Sequence, residues 1–137
     1  NVWGAYGGDE PTFRAAELID GLAVWSRRGL VECLLQYEAL GWTGYMPDAC
    51  RNTKVMVPLN VAPFLWGWPN LLLARLRDVG SEVILLGPYE AGDPGTAGID
   101  TLEQLAEVPQ SFSGYLWTNR IEVIGPALEA RNMQSTR

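Results

Sequence analysis

Short apolar runs of strand length alternate with helical patterns along this sequence, and this alternation constrains the fold more than any other feature. The runs lie at 2–6, 22–26, 43–46, 54–59, 82–87 and 114–118. Short apolar runs bounded by turn residues predict buried strands. Strands separated by helices pack into a parallel sheet, because each helix returns the chain to the edge where the previous strand began. The sequence therefore predicts an α/β fold of parallel βα units.

Helix start and stop signals support this division of the chain. Two helical patterns have a capping residue in front and a glycine behind, and these pairs are Ser26 with Gly41 and Asn70 with Gly80. A capping side chain accepts a hydrogen bond from a free backbone N–H group at the start of a helix, and a glycine often follows its last turn. A third helix start is indicated by Asp9 followed by Pro11.

Two further helix starts have the spacing of a capping box, in which a first side chain and a Glu three residues later bind each other's backbone. They are Asp100 with Glu103 and Asn119 with Glu122. Pro126 lies inside the second of these patterns. We expect this proline to bend or break the helix, because its ring removes a backbone donor.

We expect a single domain over residues 1–131 and a polar tail over 132–137. A chain of 137 residues, 47% of them hydrophobic, is suited to one globular core. Residues 47–70 break the alternation and are expected to form an irregular insertion, with Trp66 and Trp68 on either side of a glycine. Two roles for this insertion stay open: a hydrophobic lid, or a surface that contacts a ligand.

The charge balance and the distribution of apolar residues argue against two classes of partner. Ten Lys and Arg against sixteen Asp and Glu give a net charge of −6, which repels nucleic-acid phosphates. The longest apolar stretch, 60–74, is interrupted by Pro63 and Pro69 and is too short to span a bilayer. We therefore expect a soluble protein with no nucleic-acid partner and no transmembrane segment. The compartment stays open, with a slight preference for the cytoplasm.

The chain contains no histidine and two cysteines. Without histidine it lacks the commonest general base and the commonest metal ligand. Cys33 lies in an apolar helical pattern and is most simply a small core residue, whereas Cys50 lies in a polar loop. A disulfide between the two stays open, and a small redox or disulfide protein is the weakest of the functional hypotheses.

Polar side chains follow the predicted strands at their carboxyl ends. In a parallel α/β barrel the loops after the strands form the active face. The candidates at these positions are Tyr6, Asp9, Ser26, Asp48, Arg51, Asn52, Asn60, Tyr89, Glu90, Asn119 and Arg120. The forked donors of arginine suit phosphate, and carboxylates suit magnesium or calcium. A plain role as a helix cap or a solvated charge stays open for them, and no known catalytic motif is present.

The run FSGYLWTNRIEVIGPAL at 112–128 resembles the last strand and helix of glycerophosphodiester phosphodiesterases. In that family a glycine and a hydrophobic run end in Thr-Asp-Arg-Pro-Asp or a similar motif. Thr118, Asn119 and Arg120 stand at the Thr-Asp-Arg positions, and Ile121 replaces the proline.

The order of the upstream segments is also similar to that family. Residues 1–26 resemble its fifth strand, helix and sixth strand, and residues 39–47 resemble the segment that returns toward the sheet. Residues 70–89 resemble its next helix and seventh strand, without the usual Trp-Thr pair. The resemblance covers nearly all of this chain but only the C-terminal half of such a domain.

The resemblance implies the C-terminal half of a (β/α)₈ TIM barrel that hydrolyses glycerophosphodiesters to glycerol 3-phosphate and an alcohol. The family uses a divalent cation, calcium or magnesium. Its catalytic histidines and its Glu-x-Asp metal motif belong to the first strands, and no residues here match them, so no catalytic residue is assigned. The expected contacts to a small phosphodiester substrate are Arg120, Asn119, Trp117, Tyr89, Arg51 and Trp66. The expected metal ligands are Glu90 and Asp48.

Two functions stay open, and whether the isolated chain is an enzyme is left undecided. The first is a phosphodiesterase that an N-terminal half completes. The second is a non-catalytic half-barrel that binds or assembles, which the absent histidines and six tryptophans favour. An open half-barrel exposes two sheet edges and an apolar inner face. We therefore expect a homo-oligomer or pairing with a missing N-terminal half.

Overall fold

Strands and helices alternate through the computed structural model, which describes residues 4–7, 9–20, 23–91 and 97–136. The elements are β1 (Gly4–Gly7), α1 (Asp9–Leu18), β2 (Ala23–Ser26), α2 (Arg27–Leu40), β3 (Lys54–Pro58), α3 (Asn70–Asp78), β4 (Glu82–Leu86), α4 (Leu102–Glu107), β5 (Tyr115–Leu116) and α5 (Ile121–Ser135). Short 3-10 helices lie at Gly41–Thr43, Asp48–Cys50 and Ala62–Phe64. The mixed α/β class predicted from the sequence is confirmed.

Parts of several predictions fall outside the described residues. These parts are 1–3 and 21–22 at the starts of the first two predicted strands, Gly8, and 92–96 in the loop after β4. The side chains of Tyr6 and Asp9 are also outside the described set.

Every strand pairing recorded in the described part of the chain is parallel. β1 pairs with β2, and β3, β4 and β5 form a three-stranded sheet in chain order. Val55 is opposite Val83, and Leu85 is opposite Leu116. The carboxyl ends of β3, β4 and β5 therefore lie along one edge of this sheet, which we call the carboxyl edge.

Alternate residues of the sheet face the helices and form the core. Val57 and Leu85 are fully buried, and they belong to one apolar cluster with Leu72, Leu73 and Leu76 of α3. Burying a Leu or Val side chain in this way stabilises the fold by roughly 1.5–3 kcal/mol. The intervening residues of the strands, such as Ile84 and Tyr115, lie on the other face of the sheet because side chains alternate along a strand.

α2 begins and ends where the sequence predicted. The Ser26 hydroxyl accepts a hydrogen bond from the Gly29 backbone N–H at 3.2 Å, so Ser26 is the N-cap. Gly41 follows the helix with an ordinary right-handed backbone. A Cβ at this position would lie 2.7 Å from the Tyr37 ring, so close packing and not left-handed geometry requires the glycine.

The predicted strand at 43–46 is wrong. Gly41–Thr43 is a 3-10 helix, and Gly44 adopts a left-handed φ of 88°. The Thr43 hydroxyl donates to the Leu40 carbonyl at 2.6 Å, and the Gly44 N–H donates to the Gly41 carbonyl at 3.0 Å. These local bonds close a turn and leave no extended segment that could join a sheet.

Residues 47–70 do not form an insertion. They contain β3, a strand that the apolar run 54–59 also predicted, and β3 pairs with β4 along its whole length. The segment is therefore a strand of the sheet with a loop on each side.

Both predicted capping boxes are wrong in detail. The box of α4 lies one residue later: the Gln104 backbone N–H donates to the Thr101 hydroxyl, and the Thr101 backbone N–H donates to the side-chain Oε1 of Gln104, each at 3.2 Å. α5 follows Arg120 without a side-chain cap. α5 also runs through Pro126 to Ser135, so residues 132–135 belong to the helix and not to a tail.

A disulfide joins Cys33 of α2 to Cys50, shortly before β3, and settles a pairing that the sequence left open. Both cysteines are buried, at 2% and 0% exposure, and both belong to the main core cluster. The prediction that Cys33 is a core residue is confirmed. Among the described helices, none is both long enough and apolar enough to cross a bilayer.

Candidate functional site

Two loops of the carboxyl edge are tied together by one amide side chain. Asn60 follows β3, and Tyr89 follows β4. The Tyr89 N–H donates to Asn60 Oδ1 at 2.8 Å, and Asn60 Nδ2 donates to the Tyr89 carbonyl at 2.9 Å. The Asn60 amide thus pairs with the Tyr89 backbone as a strand residue would, and it fixes the loop after β4.

Residues 97–100 enter between the ends of β4 and β5. The Gly87 N–H donates to the Ala97 carbonyl, and the Ile99 N–H donates to the Trp117 carbonyl, each at 2.8 Å. A Cβ at Gly87 would lie 2.7 Å from the Gly98 carbonyl carbon, so the two backbones are too close for a larger residue. This insertion brings Asp100 beside the residues that follow β5.

The Asp100 carboxylate is the centre of a polar cluster with Thr118 and Asn119. Asp100 Oδ1 accepts the Asn119 backbone N–H at 2.7 Å and the Thr118 hydroxyl at 3.0 Å. Asp100 Oδ2 accepts Asn119 Nδ2 at 3.3 Å. Bonds of this kind to a charged acceptor are stronger than bonds between neutral groups. They fix the turn that presents Arg120.

The ionised form of Asp100 is favoured. Partial desolvation acts to raise the pKa of Asp100, but the bonds from the Asn119 backbone, the Asn119 side chain and Thr118 lower it. The Arg120 charge also lowers it, and the net result is a pKa below the ordinary value. Asp100 is therefore a hydrogen-bond acceptor at neutral pH and does not serve as an acid.

Arg120 is presented at the surface of this cluster. Its backbone N–H donates to the Thr118 hydroxyl at 2.9 Å, and its Nε lies 3.0 Å from Glu122 Oε1. The two side chains are 57% and 62% exposed. The Glu122 backbone N–H, followed by the Arg120 side chain, lowers the pKa of Glu122 below its ordinary value. In the described part of the chain, the terminal guanidinium nitrogens of Arg120 make no recorded hydrogen bond.

The structure brings together several of the residues predicted to bind substrate. Asn119 and Arg120 lie in the polar cluster, and Trp117, which is 39% exposed, directly precedes it. Tyr89 follows β4 at the same edge and is 42% exposed. Glu90, the predicted metal ligand next to Tyr89, is exposed in the same loop.

Arg51, predicted to contact substrate, and Asp48, predicted to bind metal, do not lie at this edge, so the structure does not bring them together with Asn119. Both precede β3, whereas the carboxyl edge follows it. Arg51 Nε lies 3.3 Å from Asp48 Oδ1, and Arg51 Nη2 donates to the Met46 carbonyl at 3.3 Å. Their placement at a strand end depended on the predicted strand at 43–46, which does not form.

The contacts of Trp66 place it in the helical layer and not at the polar cluster. Its indole N–H donates to the Glu38 carbonyl of α2 at 3.2 Å, and its own carbonyl accepts the Tyr37 hydroxyl at 2.6 Å. Trp68 is partly buried against Phe112, with ring centroids 5.4 Å apart. Trp68 therefore packs against the core, and the two roles predicted for this segment, a lid or a surface that contacts a ligand, stay predictions.

The two predicted metal ligands do not share a site. Asp48 precedes β3 and is paired with Arg51, whereas Glu90 follows β4 at the opposite edge. Within the described ranges, no group of three or more His, Cys, Asp or Glu side chains could hold a metal ion. The carboxylates of this chain that the structure describes therefore do not fit a complete divalent-cation site.

Asp100 is the functional candidate that the sequence analysis missed, because its spacing to Glu103 indicated a helix cap. The local sequence carries no signal for the bond to Asn119, because Asn119 lies 19 residues further along the chain. In comparisons with family models, curated proteins and solved structures, nothing matches this chain.

Proposed function

We propose that this chain forms the C-terminal half of a glycerophosphodiester phosphodiesterase-like barrel. In this proposal an N-terminal half completes the barrel, which hydrolyses glycerophosphodiesters to glycerol 3-phosphate and an alcohol. The observation that carries the proposal is the strand order. β3, β4 and β5 are parallel neighbours in chain order, as are β1 and β2. Successive parallel neighbours are typical of (β/α)₈ barrels, whereas doubly wound sheets reverse their order at a switch point.

Arg120 is the proposed phosphate contact. Its guanidinium is exposed at the carboxyl edge, where barrel enzymes bind substrate. A phosphodiester carries one negative charge shared by two non-bridging oxygens, and these match the forked donors of arginine. Asn119 and Trp117 flank this position in sequence, and Tyr89 lies on the neighbouring loop. In the proposal, Trp117 and Tyr89 cover the glycerol and alcohol portions of the substrate.

The proposed divalent cation, calcium or magnesium, would be bound mainly by the completing half. Glu90 is the predicted ligand that this chain brings to the carboxyl edge. A bound cation would stabilise negative charge on the phosphate and lower the pKa of a water molecule. The acid and base would also come from the completing half, because these 137 residues include no histidine.

The proposal is tested by following release of glycerol 3-phosphate from glycerophosphocholine, with calcium or magnesium present. We expect no hydrolysis by the 137-residue chain. We expect hydrolysis by a longer protein that also includes the residues encoded upstream of Asn1 in the native gene. Chelating the cation should abolish this hydrolysis. Hydrolysis by the short chain would contradict the need for a second half. A longer protein without hydrolysis would contradict the enzymatic function.

A non-catalytic assembly module is the second candidate, and the open edge of the sheet at β5 favours it. Ile84 and Tyr115 lie on the face opposite the main core, and Tyr115 is 57% exposed. β5 pairs with β4 on one side and has no recorded partner strand on the other among the described residues. A sheet with an open edge and an exposed aromatic residue on its edge strand favours self-association. A monomer in sedimentation equilibrium that binds no hydrophobic dye would contradict this candidate.

A further inference from the structure

A concave surface lies on the helical layer, between the end of α2 and the start of α3. It has a volume of about 470 Å³ and is lined by Trp42, Trp66, Gly67, Leu71 and Arg75. We call it the aromatic groove. The contacts of Trp66 and Arg75 are with α2 and the residues just after it, so the groove is separate from the polar cluster around Asp100.

The two tryptophans are held by the last turn of α2. Trp42 Nε1 donates to the Ala39 carbonyl at 3.0 Å, and Trp66 Nε1 donates to the Glu38 carbonyl at 3.2 Å. These carbonyls belong to the last helical turn, where intrahelical donors are missing. Both indole N–H groups are therefore used inside the protein. The rings stay 65% and 49% exposed, so the groove offers apolar ring surface rather than hydrogen-bond donors.

Gly67 and Leu71 bring the start of α3 close to Trp66. Gly67 has a left-handed φ of 76°, and a Cβ there would lie 2.7 Å from the Leu71 Cβ. Leu71 itself is 51% exposed. The groove is therefore apolar along most of its length and is formed by closely packed backbone.

Arg75 is the one charged residue among those that line the groove. Its Nη1 donates to the Gly41 carbonyl at 2.6 Å and to the Tyr37 hydroxyl at 3.2 Å. Tyr37 is 1% exposed, and its hydroxyl in turn donates to the Trp66 carbonyl at 2.6 Å. A buried tyrosine thus fixes both the guanidinium and the Trp66 backbone.

The remaining donors of Arg75 have no recorded acceptor. In the described part of the chain, neither Nε nor Nη2 makes a hydrogen bond, and no carboxylate lies within ion-pair distance of the guanidinium. The side chain is half-buried. A partly desolvated cation without an anion is unfavourable, and a bound anion would relieve this cost.

We propose that the aromatic groove binds a single-chain amphiphile with an anionic head group. The carboxylate or phosphate accepts hydrogen bonds from Arg75, and the apolar chain lies over Trp42, Trp66 and Leu71. The net charge of −6 opposes binding to an anionic bilayer, so the ligand is a monomeric amphiphile and not a membrane surface. This site stands independently of the proposed phosphodiesterase function.

The test uses the indole N–H resonances of Trp42 and Trp66 in ¹⁵N-labelled protein. Decanoate and decyl phosphate, each below its aggregation concentration, are the anionic probes. Decyltrimethylammonium and decanol supply the same chain without the negative charge. We expect saturable shifts of both resonances with at least one anionic probe, and binding of the two controls weaker by about tenfold or more. Tighter binding of decanoate indicates a fatty acid, and tighter binding of decyl phosphate indicates a phosphate-bearing lipid.

Two substitutions in the aromatic groove test whether Arg75 and the surface at Leu71 take part in binding. Arg75→Met keeps the apolar stem and removes the charge, and we expect it to weaken binding of the anionic probe by about tenfold or more. Arg77→Met is the matched control on α3, because Arg77 binds Ser113 and does not line the groove. Leu71→Glu places a like charge in the groove without removing the contacts of Arg75, and we expect it to abolish binding of the anion. Equal binding of anionic and cationic probes, or unchanged binding by both groove variants, would overturn the proposal.

Discussion

The carboxylate of Asp100 accepts the backbone N–H of Asn119 at 2.7 Å and joins the segment before α4 to the turn after β5. The same carboxylate accepts the Thr118 hydroxyl and the Asn119 side-chain amide. Arg120 follows directly, and its backbone N–H binds Thr118. The position of the proposed phosphate contact therefore depends on Asp100, a residue to which the proposal assigns no substrate contact.

Replacing Asp100 by alanine is expected to destabilise the protein. The Asn119 N–H and the Thr118 hydroxyl lose their acceptor, but the bond to Asn119 is exposed, so water replaces it in part and we expect a loss of roughly 0.5–1.5 kcal/mol. Urea denaturation followed by circular dichroism measures the change. Glu103→Ala is the control, because Glu103 is an exposed residue of the same region with no recorded hydrogen bond in the described chain. Equal effects of the two substitutions would show that the Asp100 bonds contribute nothing specific.

The stability of the protein is expected to fall in acid through Asp100. The pKa of Asp100 is lowered from an ordinary value of 3.8. Asp100 therefore binds a proton more readily in the unfolded chain than in the folded protein. The stabilisation that its carboxylate provides is present above the unfolded-state pKa and is lost as the pH falls through the folded-state pKa. We expect the midpoint of urea denaturation to fall less steeply with decreasing pH in Asp100→Asn than in the native protein, when it is measured from neutral pH to below the folded-state pKa of Asp100.

Glu122 provides the control for this pH dependence. Its pKa is also lowered, but its carboxylate is exposed, and screening by solvent weakens such surface pairs. Glu122→Gln should therefore change the acid dependence less than Asp100→Asn does. If Glu122→Gln has the larger effect, the Asp100 cluster is not the main source of acid sensitivity.

Much of the fold could be predicted because its signals are local. The apolar runs at 54–59 and 82–87 correspond to β3 and β4, and Ser26 caps α2 as expected. The prediction at 43–46 was wrong because a short run that contains Gly44 and precedes Pro47 is also compatible with a turn. That error moved Arg51 and Asp48 to the wrong edge of the sheet.

The polar cluster could not be predicted because its bonds are not local. Asp100 and Asn119 are nineteen residues apart, and both had the local spacing of a helix cap. Spacing along the chain does not reveal which acceptor a side chain uses when a distant donor is available. Trp66 shows the same limit, since its partner on α2 lies far from it in sequence.

Removing the disulfide is expected to destabilise the protein by roughly 3 kcal/mol, because the bond closes a loop between residues 17 positions apart. Cys33→Ala with Cys50→Ala tests this by urea denaturation, and reduction of the native protein provides a second measurement. Both cysteines are buried, so reduction should need partial unfolding and be slow without denaturant. A double variant as stable as the native protein would contradict the expectation.

Replacing Gly87 by alanine is expected to disturb the carboxyl edge, although the substitution adds only one methyl group. The new Cβ would lie 2.7 Å from the Gly98 carbonyl carbon and nearer still to its oxygen, and both are backbone atoms that cannot turn away. Forcing an extra group into a packed site costs roughly 1–3 kcal/mol.

Gly125→Ala is the matched control for Gly87→Ala. Gly125 lies inside α5, and its new Cβ would make an ordinary contact of 3.6 Å with Ile121. Alanine in a helix interior is favoured over glycine by roughly 0.5–1 kcal/mol, so this variant should gain stability. Urea denaturation gives both values, and the Asn119 amide resonance shows whether the edge has moved. We expect that resonance to shift in Gly87→Ala and to stay in place in Gly125→Ala, because only the first substitution pushes residues 97–100 away from β4. Two variants of equal stability with an unchanged Asn119 resonance would mean that the Gly87 and Gly98 backbones are not in close contact.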